Sequence, residues 1–341
     1  RVVNDSIMDV NRYDFGAYTK LENAIGEYLG LERNEDLNSD GNPLFGQGFY
    51  PVYAEGGSSF ILDQITMIYG LKGGSGEIIE IDPGYGAITR AAYSLRNRYG
   101  AEINIKRIPT TREFVHDLEA MKNAVTDKTT LLIITNPNNP TGTILSYQEI
   151  ESFINSIPES VTIIIDEAYI HYAREENYVS GISLSQKYKN VIVTRTFSKI
   201  YGLAGLRVGW GYSSKEIINS LNLVKPPFNI NSPALSAAEA AIKDNAWLKK
   251  EIKHVNKWNN KLYKEFQKLN IETNKSVTNF LLVNFDKIKK NSNKIFKLLA
   301  SAGILVRKMN SYGIKNSLRV TIGKSSENKK LILKIKKATN V

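Results

Sequence analysis

Two short runs, "LLII" at 131–134 and "VTIII" at 161–165, carry no polar alternation. A strand with one face in water alternates apolar and polar residues; a strand covered on both faces need not. These runs recur in a chain where strand-like and helix-like segments take turns. "GEIIEIDPGY" (76–85) reads as a strand ending in a turn, "AITRAAYSLRNRYG" (87–100) as a helix and "EINIKRIP" (102–109) as a strand. "EFVHDLEAMKNAV" (113–125) reads as a helix, "TTLLIITNPNNPTG" (129–142) as a strand and loop, and "SYQEIESFINSI" (146–157) as a helix. "VTIIIDEAYIHY" (161–172) and "NVIVTRTFS" (190–198) read as further strands. The alternation predicts an α/β fold: a mostly parallel sheet between helices. Ligands of such sheets bind beyond the carboxyl ends of the strands.

Outside this stretch the pattern differs. "TKLENAIGEYLGL" (19–31) has helical periodicity and ends at Gly30. A loop rich in Gly, Asn and Pro follows, through "YPVYAEGGSS" at 50–59. "SSFILDQITMIYGL" (58–71) predicts a helix with serines at its N-cap. After Pro226-Pro227 come two long basic helices, "FLLVNF" (280–285), a helix over 291–303, "ILVRKM" (304–309) and "SLRVTIG" (317–323). These predict a smaller α+β unit. The expected division is a large domain of 45–225 and a small domain of 1–44 with 226–341.

Charge is unevenly spread. The net charge is +11, but residues 243–341 carry 24 Lys+Arg against 6 Asp+Glu. Such a block is one signature of nucleic-acid binding. The lysines of "KKEIKHVNKWNNKLYKEFQKL" recur at helical spacing, however, with Ile252, Val255, Leu262 and Phe266 between them. That is the solvated face of an amphipathic helix, and no nucleic-acid partner is expected. An anionic small substrate would still gain from the field. The absence of cysteine excludes disulfides and thiolate metal sites, and the three histidines lack ligand spacing. No apolar run approaches the ~20 residues of a membrane helix, and no signal-peptide pattern opens the chain. A cytoplasmic enzyme with no membrane partner is the expectation. The chain starts at Arg1, which fits a removed segment or one domain of a longer protein.

Polar residues gather where the sheet would place a ligand. Four strands end in "DPGY", in "NPNNPTG" after Thr135, in Asp166 with "EAY", and in "TFSK". Taken singly, Asp166 reads as a helix N-cap or a strand-end carboxylate, "NPNNPTG" as a tight turn, and Lys199 and Arg207 as surface cations. "GGSS" reads as a loop and cap. Together they suit one cofactor.

"NPNNPTG", "DEAY" and "TFSKIYGLAGLRVGWGY" closely resemble the pyridoxal-phosphate-dependent aminotransferases of fold type I. "SKIYGLAGLRVG", "PPFNINSPALSAAEAAI", "VNRYDFGAYTKLENAIGEYLG" and "SLRVTIG" look most like the histidinol-phosphate branch. The similarity runs from about Asn11 to the C-terminus. It implies pyridoxal 5'-phosphate as cofactor, and residues 45–225 as the cofactor-binding domain.

The implied roles follow residue by residue. Lys199 would form a Schiff base with the cofactor aldehyde and later move protons. Asp166 would keep the pyridine nitrogen protonated. Tyr169 and Asn139 would hydrogen-bond the ring's phenolic oxygen, and Tyr85 would stack on its face. Gly57, Ser58 and Ser59, at a helix N-terminus, would hold the phosphate with Thr196, Ser198 and Arg207. Tyr13 matches a tyrosine that reaches the cofactor phosphate of the neighbouring subunit, implying a homodimer. Arg319 and Arg307 match arginines that grip the substrate's anionic group.

The family's Asn-Glu-Asn-Pro arm motif is missing, the loop over 32–55 looks longer, and Ile88 stands where a second aromatic is common. The expected activity is a ping-pong transamination of histidinol phosphate with 2-oxoglutarate, an anionic amine and a 2-oxo acid. Rival readings are a transaminase for another phosphorylated or phosphonate amine such as 2-aminoethylphosphonate, a threonine-phosphate decarboxylase, and a non-catalytic binding protein.

Overall fold

The computed structural model describes residues 7, 16–34, 37, 48–173, 178 and 180–339. Its centre is a seven-stranded sheet. In chain order the strands are β1 (Val52–Glu55), β2 (Ser75–Asp82), β3 (Glu102–Pro109), β4 (Thr129–Thr135), β5 (Thr162–Asp166), β6 (Val191–Thr196) and β7 (Gly209–Tyr212). Their spatial order is β1-β7-β6-β5-β4-β2-β3, with β2 to β6 parallel and β7 antiparallel to both its neighbours. Successive residues of the central strands enter two different cores. Leu132, Ile134, Ile163 and Ile165 join one apolar cluster, while Leu131, Ile133 and Ile164 join the other. Both faces are thus dry, and the runs need no polar alternation.

One face carries helices α2 (Ser58–Tyr69), α3 (Ala87–Tyr99) and α7 (Lys215–Leu223). The other carries α1 (Ala17–Tyr28), α5 (Tyr147–Asn155), α6 (Gly181–Lys187) and α8 (Ser232–Lys243), with the short α4 (Leu118–Asn123) beside them. α1 packs on α8 and on β1.

A second, antiparallel sheet has the order β10-β11-β9-β8, from β8 (Glu272–Thr273), β9 (Phe280–Asn284), β10 (Arg307–Lys308) and β11 (Ser317–Thr321). It is accompanied by α9 (Asn245–Lys268), α10 (Ser292–Ser301) and α11 (Ser325–Thr339). On α9, Val255, Leu262 and Phe266 are buried and Ile252 half-buried, leaving the lysines to the outer face.

Several local expectations are corrected. Residues 52–55, read as loop, form an edge strand. The helix expected over 113–125 is confined to 118–123, because Phe114 takes a left-handed φ of 62° and Asp117 caps the helix by accepting from Ala120 N–H. The strand expected over 161–172 stops at Asp166, where Glu167 N–H donates to Thr194 and the chain turns. Of the two helices after Pro227, only α9 is long and basic; α8 has 12 residues and one lysine. The α2 N-cap is Gly57, not a serine.

Candidate active site

Strands β4, β5 and β6 end side by side, in register at Thr135, Asp166 and Thr194. Beyond them lies a cavity of about 180 Å³. Its lining includes Ser58, Ser59, Tyr85, Asn139, Asp166, Tyr169, Thr196, Ser198, Lys199 and Arg207, all predicted from the sequence. Thr135, Ala168 and Ala204 line it as well and were not predicted. Gly57 stands behind the two serines as the α2 N-cap. Arg319 reaches the cavity through Asn139, whose Oδ1 accepts from its Nη1 at 2.5 Å. Arg307 is exposed and lies opposite Arg319 across the β10–β11 pair. Tyr13 lies outside the described residues.

The chain folds tightly around one wall. Gly57 has φ of 103°, and a Cβ there would stand 2.5 Å from the Arg207 guanidinium. Gly209 on β7 faces the backbone of Gly57 and Ser58 so closely that a side chain has no space. The turn before α2 is therefore pressed between β7 and Arg207. Helix α2 has no side-chain cap and no acidic residue in its first turn. Its leading N–H groups suit an anion. Arg207 is held beside them in a left-handed conformation, φ 55°, donating to Ser198 Oγ at 3.2 Å and to Ala204 C=O at 2.9 Å. Thr196 Oγ1 accepts from Ser198 N–H at 3.1 Å. Ser59 Oγ and Tyr85 OH lie 3.1 Å apart.

The titratable groups have shifted in complementary directions. Burial pushes the Asp166 carboxyl up to about 6, although it accepts from Thr194 Oγ1 at 2.9 Å. A buried carboxylate of this kind calls for a cation. Burial lowers the Lys199 amine, whose Nζ lies 5.2 Å from the Tyr169 ring centre. Tyr169 is pushed up to about 12 by burial and stands edge-on to Phe280 at 5.1 Å. Arg319 lies over the Phe280 ring at 4.7 Å, and its buried Nε has no hydrogen-bond partner. Arg307 lies over Tyr312, at 5.3 Å. Tyr312 was not predicted; only the fold brings its turn back to Arg307.

Glu167, the second acid of "DEAY", points away from the cavity. It is fully buried against Arg195, at 2.7 Å, and accepts from Tyr178 OH and Gly181 N–H. That ion pair is structural. Among the described residues no three histidine or acidic side chains gather as metal ligands, and no helix is long and apolar enough to cross a membrane.

The arrangement offers an anion cradle, a buried carboxylate for a cation, and an amine made nucleophilic by burial. A phosphorylated, basic-ring aldehyde fits all three.

Comparisons with known proteins agree in kind. The family described as aminotransferase class I and II matches residues 5–335. The histidinol-phosphate aminotransferase of Pelagibacter ubique (strain HTCC1062) is 38% identical over 307 residues, covering 90% of this chain and 83% of that protein. Histidinol-phosphate aminotransferase 2 of Haemophilus influenzae (strain 86-028NP) is 33% identical over 338 residues, 99% of this chain and 84% of the relative. The crystal structure of a histidinol-phosphate aminotransferase from Sinorhizobium meliloti, in complex with pyridoxal-5'-phosphate, superposes with a TM-score of 0.84. It covers 99% of this chain and 86% of the other at 21% identity, a likeness of fold.

Proposed function

We infer, for a chain that belongs to the aminotransferases of class I and II, that its amino donor is histidinol phosphate and its acceptor 2-oxoglutarate. The enzyme is a pyridoxal 5'-phosphate-dependent aminotransferase. When bound, that cofactor supplies an aldehyde and a ring that accepts electrons from a carbon-bound carbanion.

The protein's part is to hold and to move protons. Gly57, Ser58 and Ser59 at the α2 N-terminus, with Thr196, Ser198 and Arg207, would receive the phosphate. Asp166 would pair with the protonated ring nitrogen, and Tyr85 would lie against the ring. Asn139 and Tyr169 would hydrogen-bond its phenolic oxygen. Lys199 Nζ would hold the cofactor by its aldehyde, and it is the amine placed to accept a proton from the substrate's Cα and to donate it back. Its lowered proton affinity keeps more of the amine neutral than in a free lysine.

The observation that carries the substrate reading is the cross-strand pair Arg307–Arg319 beside the Lys199 cavity. Two guanidinium groups side by side repel each other until an anion lies between them. Arg319 also keeps a buried N–H without a partner. A phosphate ester suits such a pair, and the relatives at 33–38% identity bear the corresponding name. They favour this donor over a phosphonate amine or threonine phosphate.

The division into a large domain of 45–225 and a small domain of 1–44 with 226–341 is part of this proposal; it separates the two sheets, while α1 and α8 pack on the seven-stranded one. So is a homodimer in which Tyr13 reaches the partner's cofactor. Phe60 and Met67 of α2, with Tyr93 and Tyr99 of α3, are exposed, as a surface for a second copy requires.

The test is a half-reaction without acceptor. Cofactor-loaded protein should lose its visible absorption band on mixing with histidinol phosphate. A faster loss with 2-aminoethylphosphonate would replace the donor. Release of carbon dioxide from threonine phosphate would replace the reaction.

A further inference from the structure

Glu55, the last residue of β1, is 2% exposed and lies just before the cradle. Its carboxylate gathers four donors. Gly56 N–H, at 2.6 Å, and Asn229 Nδ2 donate to Oε1. Gln64 Nε2, at 3.0 Å, donates to Oε2, and Tyr53 OH lies 3.2 Å from it, sharing its one proton with Gln64 Oε1 at 3.0 Å. Gly56 belongs to the turn that presents Gly57, and Gln64 belongs to α2 itself. Asn229 is anchored in turn, its Oδ1 accepting from Tyr18 OH on α1 at 2.5 Å. Behind this group, Glu22 on α1 accepts from Ala54 N–H at 3.1 Å and pairs with the buried Lys225 at 3.5 Å.

We propose that Glu55 is a positioning residue for the phosphate cradle, fixing the angle between the Gly56-Gly57 turn and helix α2. The inference rests on the cofactor reading above. A buried carboxylate two residues from the first residue of an anion site is electrostatically unfavourable. Its position is tolerable because N–H and O–H donors fill its lone pairs. The same donors tie the turn to the helix whose first N–H groups face the phosphate. A glutamine cannot replace it. Its amide nitrogen would face the N–H groups of Gly56 and Asn229, or that of Gln64, donor against donor, and the turn would have to move.

The discriminating measurement compares cofactors with and without phosphate. Apo-protein is titrated with pyridoxal 5'-phosphate and with pyridoxal, in wild type and Glu55→Gln. The expected result is roughly ten-fold weaker binding of pyridoxal 5'-phosphate, with pyridoxal affinity unchanged. Equal losses for both ligands, or no loss for either, would overturn the proposal by making Glu55 merely structural or irrelevant. Should Glu55→Gln not fold, Gln64→Met removes one N–H donor and leaves the Tyr53 proton to Glu55 alone. It should weaken binding by about three-fold, again only for the phosphorylated form, and equal or absent losses there overturn the proposal equally. A wild-type protein that binds neither ligand would instead remove the cofactor reading, and this inference with it.

Discussion

The two ends of the cavity are built by opposite means. At the cradle end, Asp166 is buried on a central strand with Thr194 as partner, and Arg207 is pinned by two hydrogen bonds. At the arginine end, Arg307 is exposed on a two-residue strand, and Arg319 keeps an unpartnered N–H. A preorganised pocket suits a group that stays through every cycle. An open pair of cations suits a group that must enter and leave. The comparison can be broken at either end, and the largest effects should come from the cradle side.

Lys199→Ala is the most severe test. It removes both the nucleophile and the proton carrier, so turnover should fall by about 10⁴-fold or more. The cradle and Asp166 are untouched, so phosphorylated cofactor should still bind, without covalent attachment. Cofactor retention after gel filtration, measured beside turnover, checks both halves. Activity within ten-fold of wild type would remove Lys199 from its proposed role.

Asp166 gives a pH signature. In the apo-protein its carboxyl titrates near 6, above its ordinary 3.8. Between those values the native state binds the proton more tightly than the unfolded chain. Apo stability should therefore fall as pH rises through that window, by a few kcal/mol at most. A cationic ring nitrogen favours the ionised carboxylate, so cofactor affinity should move the other way, weakening by up to about ten-fold per pH unit below about 6. Thermal unfolding of apo-protein and cofactor titration from pH 4.5 to 7.5 test the pair of slopes. Asp166→Asn should flatten both. A cofactor affinity independent of pH would separate Asp166 from the ring nitrogen.

The same contrast explains what could be read from the sequence. Thr196, Ser198, Lys199 and Arg207 fall within twelve residues, Asp166 ends one apolar strand, and Asn139 lies in the loop that follows another. Backbone geometry alone brings these together, because parallel neighbours deliver their carboxyl ends to one edge. β1 and β7 were not legible. Each is four residues long; β1 exists through pairing with β7, distant in sequence, and β7 runs antiparallel to both its neighbours. Glu55 was missed for that long-range reason, and Tyr312 because its local turn carries no sequence signal. Tyr312 meets Arg307 through the return of β10 to β11, and the donors to Glu55 include Asn229, 174 residues away. The short α4 was overextended because its apolar spacing continues through Phe114, whereas the backbone there turns left-handed.

The arginine end should yield the smaller and more selective effects. Arg319 is partly buried, lies over Phe280 and already touches Asn139. Arg307 is exposed, and its contact with an anion is screened by water. Arg319→Ala should therefore raise the KM for the phosphorylated amine by roughly 30-fold, and Arg307→Ala by only about five-fold. Arg307→Ala should leave the cofactor's absorption unchanged in the absence of substrate, whereas Arg319→Ala removes the partner of Asn139 and should shift it slightly. If Arg307 and Arg319 grip one anion together, the double variant will be less than multiplicative, because removing either leaves the other poorly aimed. Steady-state kinetics of both single variants and the double variant test this. A product of the two single effects would mean that each arginine meets a different group, and an unchanged KM in Arg319→Ala would move the substrate's anion elsewhere.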